Sequence, residues 1–115
     1  MTEGTEGNVF CEVGGVRDVR VSVHQFLRGE WHLVGEGVSD YEGFFTLRTP
    51  SGLGPCRLTP GEYRITLEPA GDGTWTLPDS WMSIEQTPLR VSVKDGSQPL
   101  QIALPTCEWH STSKN

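Results

Sequence analysis

Few side chains in this 115-residue sequence are suited to acid–base, nucleophilic or metal chemistry. The histidines are His24, His32 and His110. Imidazole is the side chain that exchanges a proton near neutral pH without help from its surroundings. His24 alternates with valines along a strand-like run and reads as an outward, surface residue; His32 follows Trp31 after a turn and reads the same way. Cys11, Cys56 and Cys107 are widely spaced and odd in number, which fits neither a disulfide framework nor a zinc pattern. All three are expected to be free and at least partly packed. A cysteine nucleophile needs an adjacent base and cation, and the sequence places neither beside Cys11 or Cys107. Asp40 and Glu42 lie in a turn, where carboxylates cap backbone or are solvated. Neither a metal nor a cofactor is expected.

The elements that must position these groups are strands. Val19, Val21 and Val23 alternate with Arg20, Ser22 and His24, which puts three branched side chains on one face of a strand running towards Phe26. Arg28-Gly29-Glu30 is a short turn, and Trp31 to Gly35 is the returning arm of a hairpin. Ser39 to Gly43 forms a second turn, followed by a strand at Phe44 to Leu47. The stretch from Thr49 to Pro60 holds three prolines and two glycines and reads as a loop. Thr59 to Glu62 turns into a strand with Tyr63, Ile65 and Leu67 on one face. From Pro69 to about Pro88 the chain reads as irregular, with any helix confined to a turn or two around Ser80 to Ile84. Leu89 to Val93 and Leu100 to Leu104 alternate again, separated by a turn at Asp95-Gly96. Seven or eight short strands with turn chemistry between them predict an all-β, antiparallel sandwich, with a closed barrel as the structural rival.

Composition narrows the partners. The length fits one domain, spanning 1–115, with 1–7 and 111–115 as its loose ends. A net charge of −6 with scattered basic residues argues against nucleic acid, which needs clustered Lys and Arg. No apolar run approaches the roughly 18–20 residues of a membrane-spanning helix, so no membrane partner is expected. The polar, acidic start is unlike a secretion signal, and the expected location is cytoplasmic.

Two runs carry a family resemblance: Ser39-Asp40-Tyr41-Glu42-Gly43-Phe44-Phe45, and Leu58-Thr59-Pro60-Gly61-Glu62-Tyr63-Arg64-Ile65. An acidic turn closed by glycine before one strand and a Pro-Gly-x-Tyr turn before the next resemble the transthyretin-like (prealbumin-like) sandwiches. Val21 to Phe26 followed by Trp31, and Leu100 to Leu104 followed by Trp109-His110-Ser111-Thr112, resemble the corresponding parts of transthyretin and 5-hydroxyisourate hydrolase. The likeness runs from about Asn8 to Asn115.

The resemblance implies a homotetramer with small-molecule sites in clefts between subunits. It also locates the hydrolase's functional positions. The histidine of the first strand falls on Asn8, the arginine after the acidic turn on Phe44, and the histidine of the last strand on Gln101. The family's Tyr-Arg-Gly-Ser tail is matched only loosely, by Thr112 to Asn115 or with Trp109 at a tyrosine position. Amides donate and accept hydrogen bonds but take up no proton near neutral pH, and Phe44 supplies no cation for an oxyanion. Ordinary hydroxyisourate hydrolysis is therefore not expected. The expected ligand-binding residues are Asn8, Phe10, Phe44, Gln101 and Trp109, with Gln101 and the tail's His110 as candidate catalytic groups. Strand alternation gives Asn8 and Phe10 a shared face and turns Gln101 away from the core, so Asn8, Phe10, Phe44 and Gln101 are expected to meet at the one surface that the resembled family uses for assembly and binding. Trp75, Trp81 and Trp109, in irregular segments, are candidates for ligand or subunit contacts. Three functions compete: an enzyme retargeted to another small molecule, a non-catalytic carrier of the transthyretin type, and an adhesion-type structural module.

Overall fold

A computed structural model of the chain describes residues 4–12, 14–70, 77–95 and 98–104. The strands are β1 (Glu6–Cys11), β2 (Gly14–Gly15), β3 (Val19–Leu27), β4 (Glu30–Val38), β5 (Phe44–Thr46), β6 (Gly61–Pro69), β7 (Arg90–Val93) and β8 (Leu100–Ala103). A single 3-10 turn at Asp79–Met82 is the helical content among the described residues. The expected strands are present, and most extend differently from their apolar alternation: the hairpin arm after Trp31 continues to Val38, and β6 begins already at Gly61. The two-residue β2 was not expected.

The strands form two four-stranded sheets. One has the order β4-β3-β6-β7, antiparallel throughout. In the other, β1 pairs with β8 in parallel and with β5 and β2 antiparallel. Because Asn8 pairs with both Phe44 and Gln101, β5 and β8 occupy opposite edges of β1. Sequence alternation explains which faces meet. Val9, Val19, Val21, Val23, Leu47 and Ile65 are wholly buried, and Leu67, Ile102 and Leu100 nearly so. Val21 lies opposite Leu67 and Val23 opposite Ile65, so the valines of β3 and the aliphatics of β6 supply one wall of the core. At one flank the sheets are joined by reciprocal bonds, with Glu36 N–H donating to Arg48 O and Arg48 N–H to Glu36 O.

Turn chemistry fixes the registers. Arg28 and Gly29 both take positive φ (53° and 83°), the two-residue hairpin geometry that matches strand twist. Tyr63 is buried, and its hydroxyl donates to the carbonyl of Thr59, four residues back, tying the Pro60-Gly61 turn to the start of β6.

Several expectations are corrected. Cys11 is disulfide-bonded, so the cysteines are not all free. Cys56 is free and buried, with its thiol donating to Val34 O, and Cys107 lies outside the described residues. The odd count concealed the pairing because a bridge depends on which strands are neighbours, not on spacing along the chain. Trp81 is 4% exposed and joins the core instead of marking a contact surface. Thr5, within the stretch read as a loose end, is buried; its N–H donates to Cys56 O and its hydroxyl accepts from Leu58 N–H. Trp75, Trp109 and His110 lie outside the described residues.

Candidate functional site

The outward face of the β1–β5–β8 sheet is built by strand alternation. Gly7, Val9 and Cys11 turn inward, leaving Glu6, Asn8 and Phe10 on the other face. On β8, buried Leu100 and Ile102 alternate with exposed Gln101 and Ala103. On β5, buried Phe45 lies between exposed Phe44 and Thr46. The register then lines these residues up in rungs. Asn8 stands between Phe44 on one side and Gln101 on the other; Phe10 is opposite Ala103, and Glu6 opposite Thr46. The structure thus brings Asn8, Phe10, Phe44 and Gln101 to one surface, on three strands.

The acidic turn delivers Phe44. Asp40 Oδ1 accepts the N–H groups of Glu42 and Phe44, each at 2.9 Å. Gly43 takes φ +88°, and a Cβ there would lie 2.3 Å from Val9 O, so only glycine lets the turn sit against β1. The Asp40 carboxylate is thereby committed to the turn. Gly7 has a similar packing role: a Cβ would meet the Phe45 ring at 2.6 Å and Leu100 O at 2.8 Å. The sheet closes around this glycine, which keeps β8 beside β1.

Polar capacity on this face comes chiefly from amides. Neither the Asn8 nor the Gln101 side chain has a hydrogen-bond partner among the described residues. Phe44 is 53% exposed, an apolar surface that a planar ligand can cover. A hollow of about 390 Å³ adjoins Phe44, walled by Glu6, Val38, Asp40 and Thr46. A second, of about 260 Å³, runs between β7 and β8 past Gln101, Arg90, Ser92 and Gln98. Arg90 and Val38 were not among the expected site residues. Alternation in Leu89-Arg90-Val91 turns Arg90 outward, but that β7 borders Gln101 is a matter of tertiary packing.

No imidazole reaches this face from the described residues. His24 belongs to the opposite sheet, where its Nε2 lies 2.9 Å from Thr66 Oγ1. Burial lowers its pKa below the usual imidazole range. It is half-buried, not the freely solvated residue its alternation suggested. His32, also on that sheet, faces Glu30 at 3.6 Å. Among the described residues, no group of three or more His, Cys, Asp or Glu could hold a metal ion. The face can orient a ligand by amide hydrogen bonds and aromatic contact, and its described residues include no histidine.

Fold and face together define an all-β domain of two four-stranded sheets with an amide- and phenylalanine-bearing outer surface. No protein family, curated protein or solved structure matches this chain. No helix among the described residues is long and apolar enough to cross a membrane.

Proposed function

We propose that this protein is a divergent, transthyretin-like relative of 5-hydroxyisourate hydrolase, retargeted to a different small molecule. It holds that molecule on the β1–β5–β8 face and transforms it by hydrolysis, cyclisation or isomerisation, chiefly through positioning. One observation supports this reading above the others. Asn8, Phe44 and Gln101 were singled out by likeness to three catalytic positions scattered through the sequence, and they are neighbours in a single rung of one sheet. Residues chosen at random from such distant segments have no reason to meet.

In this reading the face is one wall of an inter-subunit cleft in a homotetramer, with Trp109 and His110 completing it and His110 as the candidate base. A carrier without turnover is the second reading. It is favoured by the lack of any imidazole on the face among the described residues. A cytoplasmic location belongs to the first reading. The Cys11 disulfide weighs against it, since such bonds persist mainly in oxidising compartments.

The test begins with 5-hydroxyisourate, followed by absorbance. No turnover at ordinary hydrolase rates is expected, and such turnover would show that the alignment of Asn8 and Gln101 is wrong. A thermal-shift screen of small, planar, amide-bearing heterocycles then seeks ligands. The hits should lose affinity in both Gln101→Ala and Phe44→Ala. Ligands indifferent to both changes would remove the face from the proposal. A His110→Ala variant separates enzyme from carrier, because only an enzyme has turnover to lose.

A further inference from the structure

The opposite sheet carries a pair of arginines, of which only Arg90 also borders the hollow beside Gln101. Alternation turns Glu62 and Arg64 outward on β6, and Arg90 and Ser92 outward on β7. The register pairs them in adjacent rungs, Glu62 with Ser92 and Arg64 with Arg90. On the first rung the Ser92 hydroxyl donates to Glu62 Oε2 at 2.8 Å. The next rung sets two arginines directly opposite each other. Like charges so placed destabilise a sheet, and this chain has 15 carboxylate residues to offer as partners against nine basic ones. Yet among the described residues neither Arg64 nor Arg90 forms an ion pair, whereas Arg17 and Arg20 do.

Arg64 is also held in place by uncharged groups. Its Nη1 donates to Ile84 O at 2.9 Å, and its guanidinium carbon lies 4.6 Å from the Trp31 ring centroid. Trp31 is braced by Phe26 in an edge-to-face arrangement, with ring centroids 5.2 Å apart. These contacts fix the guanidinium without neutralising it and leave other N–H groups to donate. A hollow of about 260 Å³ lies against this pair, lined by Trp31, Glu62, Tyr63, Arg64 and Arg90. Two cations without an ion-pair partner among the described residues, facing each other across one rung beside a hollow, are what a planar or tetrahedral oxyanion requires.

We propose that Arg64 and Arg90 form an oxyanion-binding site that takes the carboxylate or phosphate group of a small ligand. Arg64 is the preset donor, Trp31 its positioning residue, and exposed Arg90 the partner that closes on the anion. Binding relieves the repulsion between the two arginines, so affinity and fold stability are coupled. The pair belongs to the β6–β7 edge of the other sheet; Arg90 also borders the hollow beside Gln101, whereas Arg64 and Trp31 do not, and the anion site does not rest on the function proposed for the Asn8 face.

Thermal unfolding of the full chain tests this, using sodium phosphate, sodium citrate and sodium chloride at matched ionic strength, with tryptophan fluorescence as a second readout. Wild-type protein should gain melting temperature saturably with phosphate or citrate over chloride, and the anion saturating at lower concentration assigns the group. Arg90→Gln spares the Arg64 clamp on Ile84. It should melt higher than wild type in chloride, because the like-charge pair is gone, and bind the anion at least about tenfold more weakly. Equal gains in both proteins would reveal only general salt exclusion from the surface and overturn the proposal. An Arg90→Gln protein melting below wild type in chloride would overturn it too.

Discussion

Gly43 and Gly29 offer a controlled comparison of what glycine contributes in this fold. Their backbones are almost the same, with φ of +88° and +83°. Their surroundings differ: a Cβ at Gly29 meets nothing within 4 Å, whereas one at Gly43 lies 2.3 Å from Val9 O and 3.0 Å from Val16 N. Gly29→Ala should therefore show the conformational cost alone, about 1 kcal/mol. Gly43→Ala carries that cost and must also push the turn away from β1, since a Cβ has no rotamer by which to escape. Separation strains the Val9 N–H bond to Gly43 O at 2.8 Å, and the new Cβ crowds both atoms of the Val16 N–H bond to Val9 O at 2.9 Å. At about 1 kcal/mol for each bond, the total comes to roughly 3 kcal/mol. With a urea m-value of about 1.5 kcal/mol/M for a domain of this size, the midpoint should fall by about 2 M for Gly43→Ala and about 0.7 M for Gly29→Ala. Equal shifts for the two variants would refute the claim that the Asp40-to-Gly43 turn is pressed against β1. The seat of Phe44 on the candidate face would then lose its structural basis.

Other expectations follow from single contacts. Tyr63→Phe removes the hydroxyl that donates to the Thr59 carbonyl and should cost about 1–3 kcal/mol in urea unfolding, with the strands otherwise intact by circular dichroism. His24 has a lowered folded pKa, so the unfolded chain binds its proton first on acidification. Its contribution to stability is complete above about pH 6.5 and is lost as pH falls towards the folded value; His24→Gln should flatten the profile of unfolding free energy across that window. Cys11 is bonded and Cys56 is free, so in unreduced protein unfolded in guanidinium Cys11 should not titrate with a thiol reagent and Cys56 should. In the native state that thiol should react slowly, because Cys56 is buried and burial raises its pKa.

Strand identity and facing were legible from the sequence because they are local. Val19-Val21-Val23, Tyr63-Ile65-Leu67 and Leu100-Ile102-Leu104 each show period two, and each set is buried. The same alternation gave Asn8 and Phe10 a shared face and turned Gln101 outward, and the Asp40-to-Gly43 turn announced itself by a side-chain acceptor and a glycine; Phe44 was placed by the family resemblance alone. Trp81 was misread because a large aromatic in an irregular segment carries no periodicity to show which way it points. His24 was misread in degree: the period turned it from the core correctly, but it is half-buried beside Thr66 on the neighbouring strand of its own sheet.

Pairing between distant segments was left to the tertiary structure. Sequence periodicity determines that β1 and β8 each have an inner and an outer face, because successive side chains of an extended backbone must alternate. It says nothing of their parallel alignment, which sets Asn8 beside Gln101, or of the register that opposes Arg64 to Arg90. The Cys11 disulfide and the approach of Gly43 to Val9 depend on the same long-range choices. Those choices belong to the whole core, in which two sheets must bury their apolar faces together while every inner backbone group finds a partner.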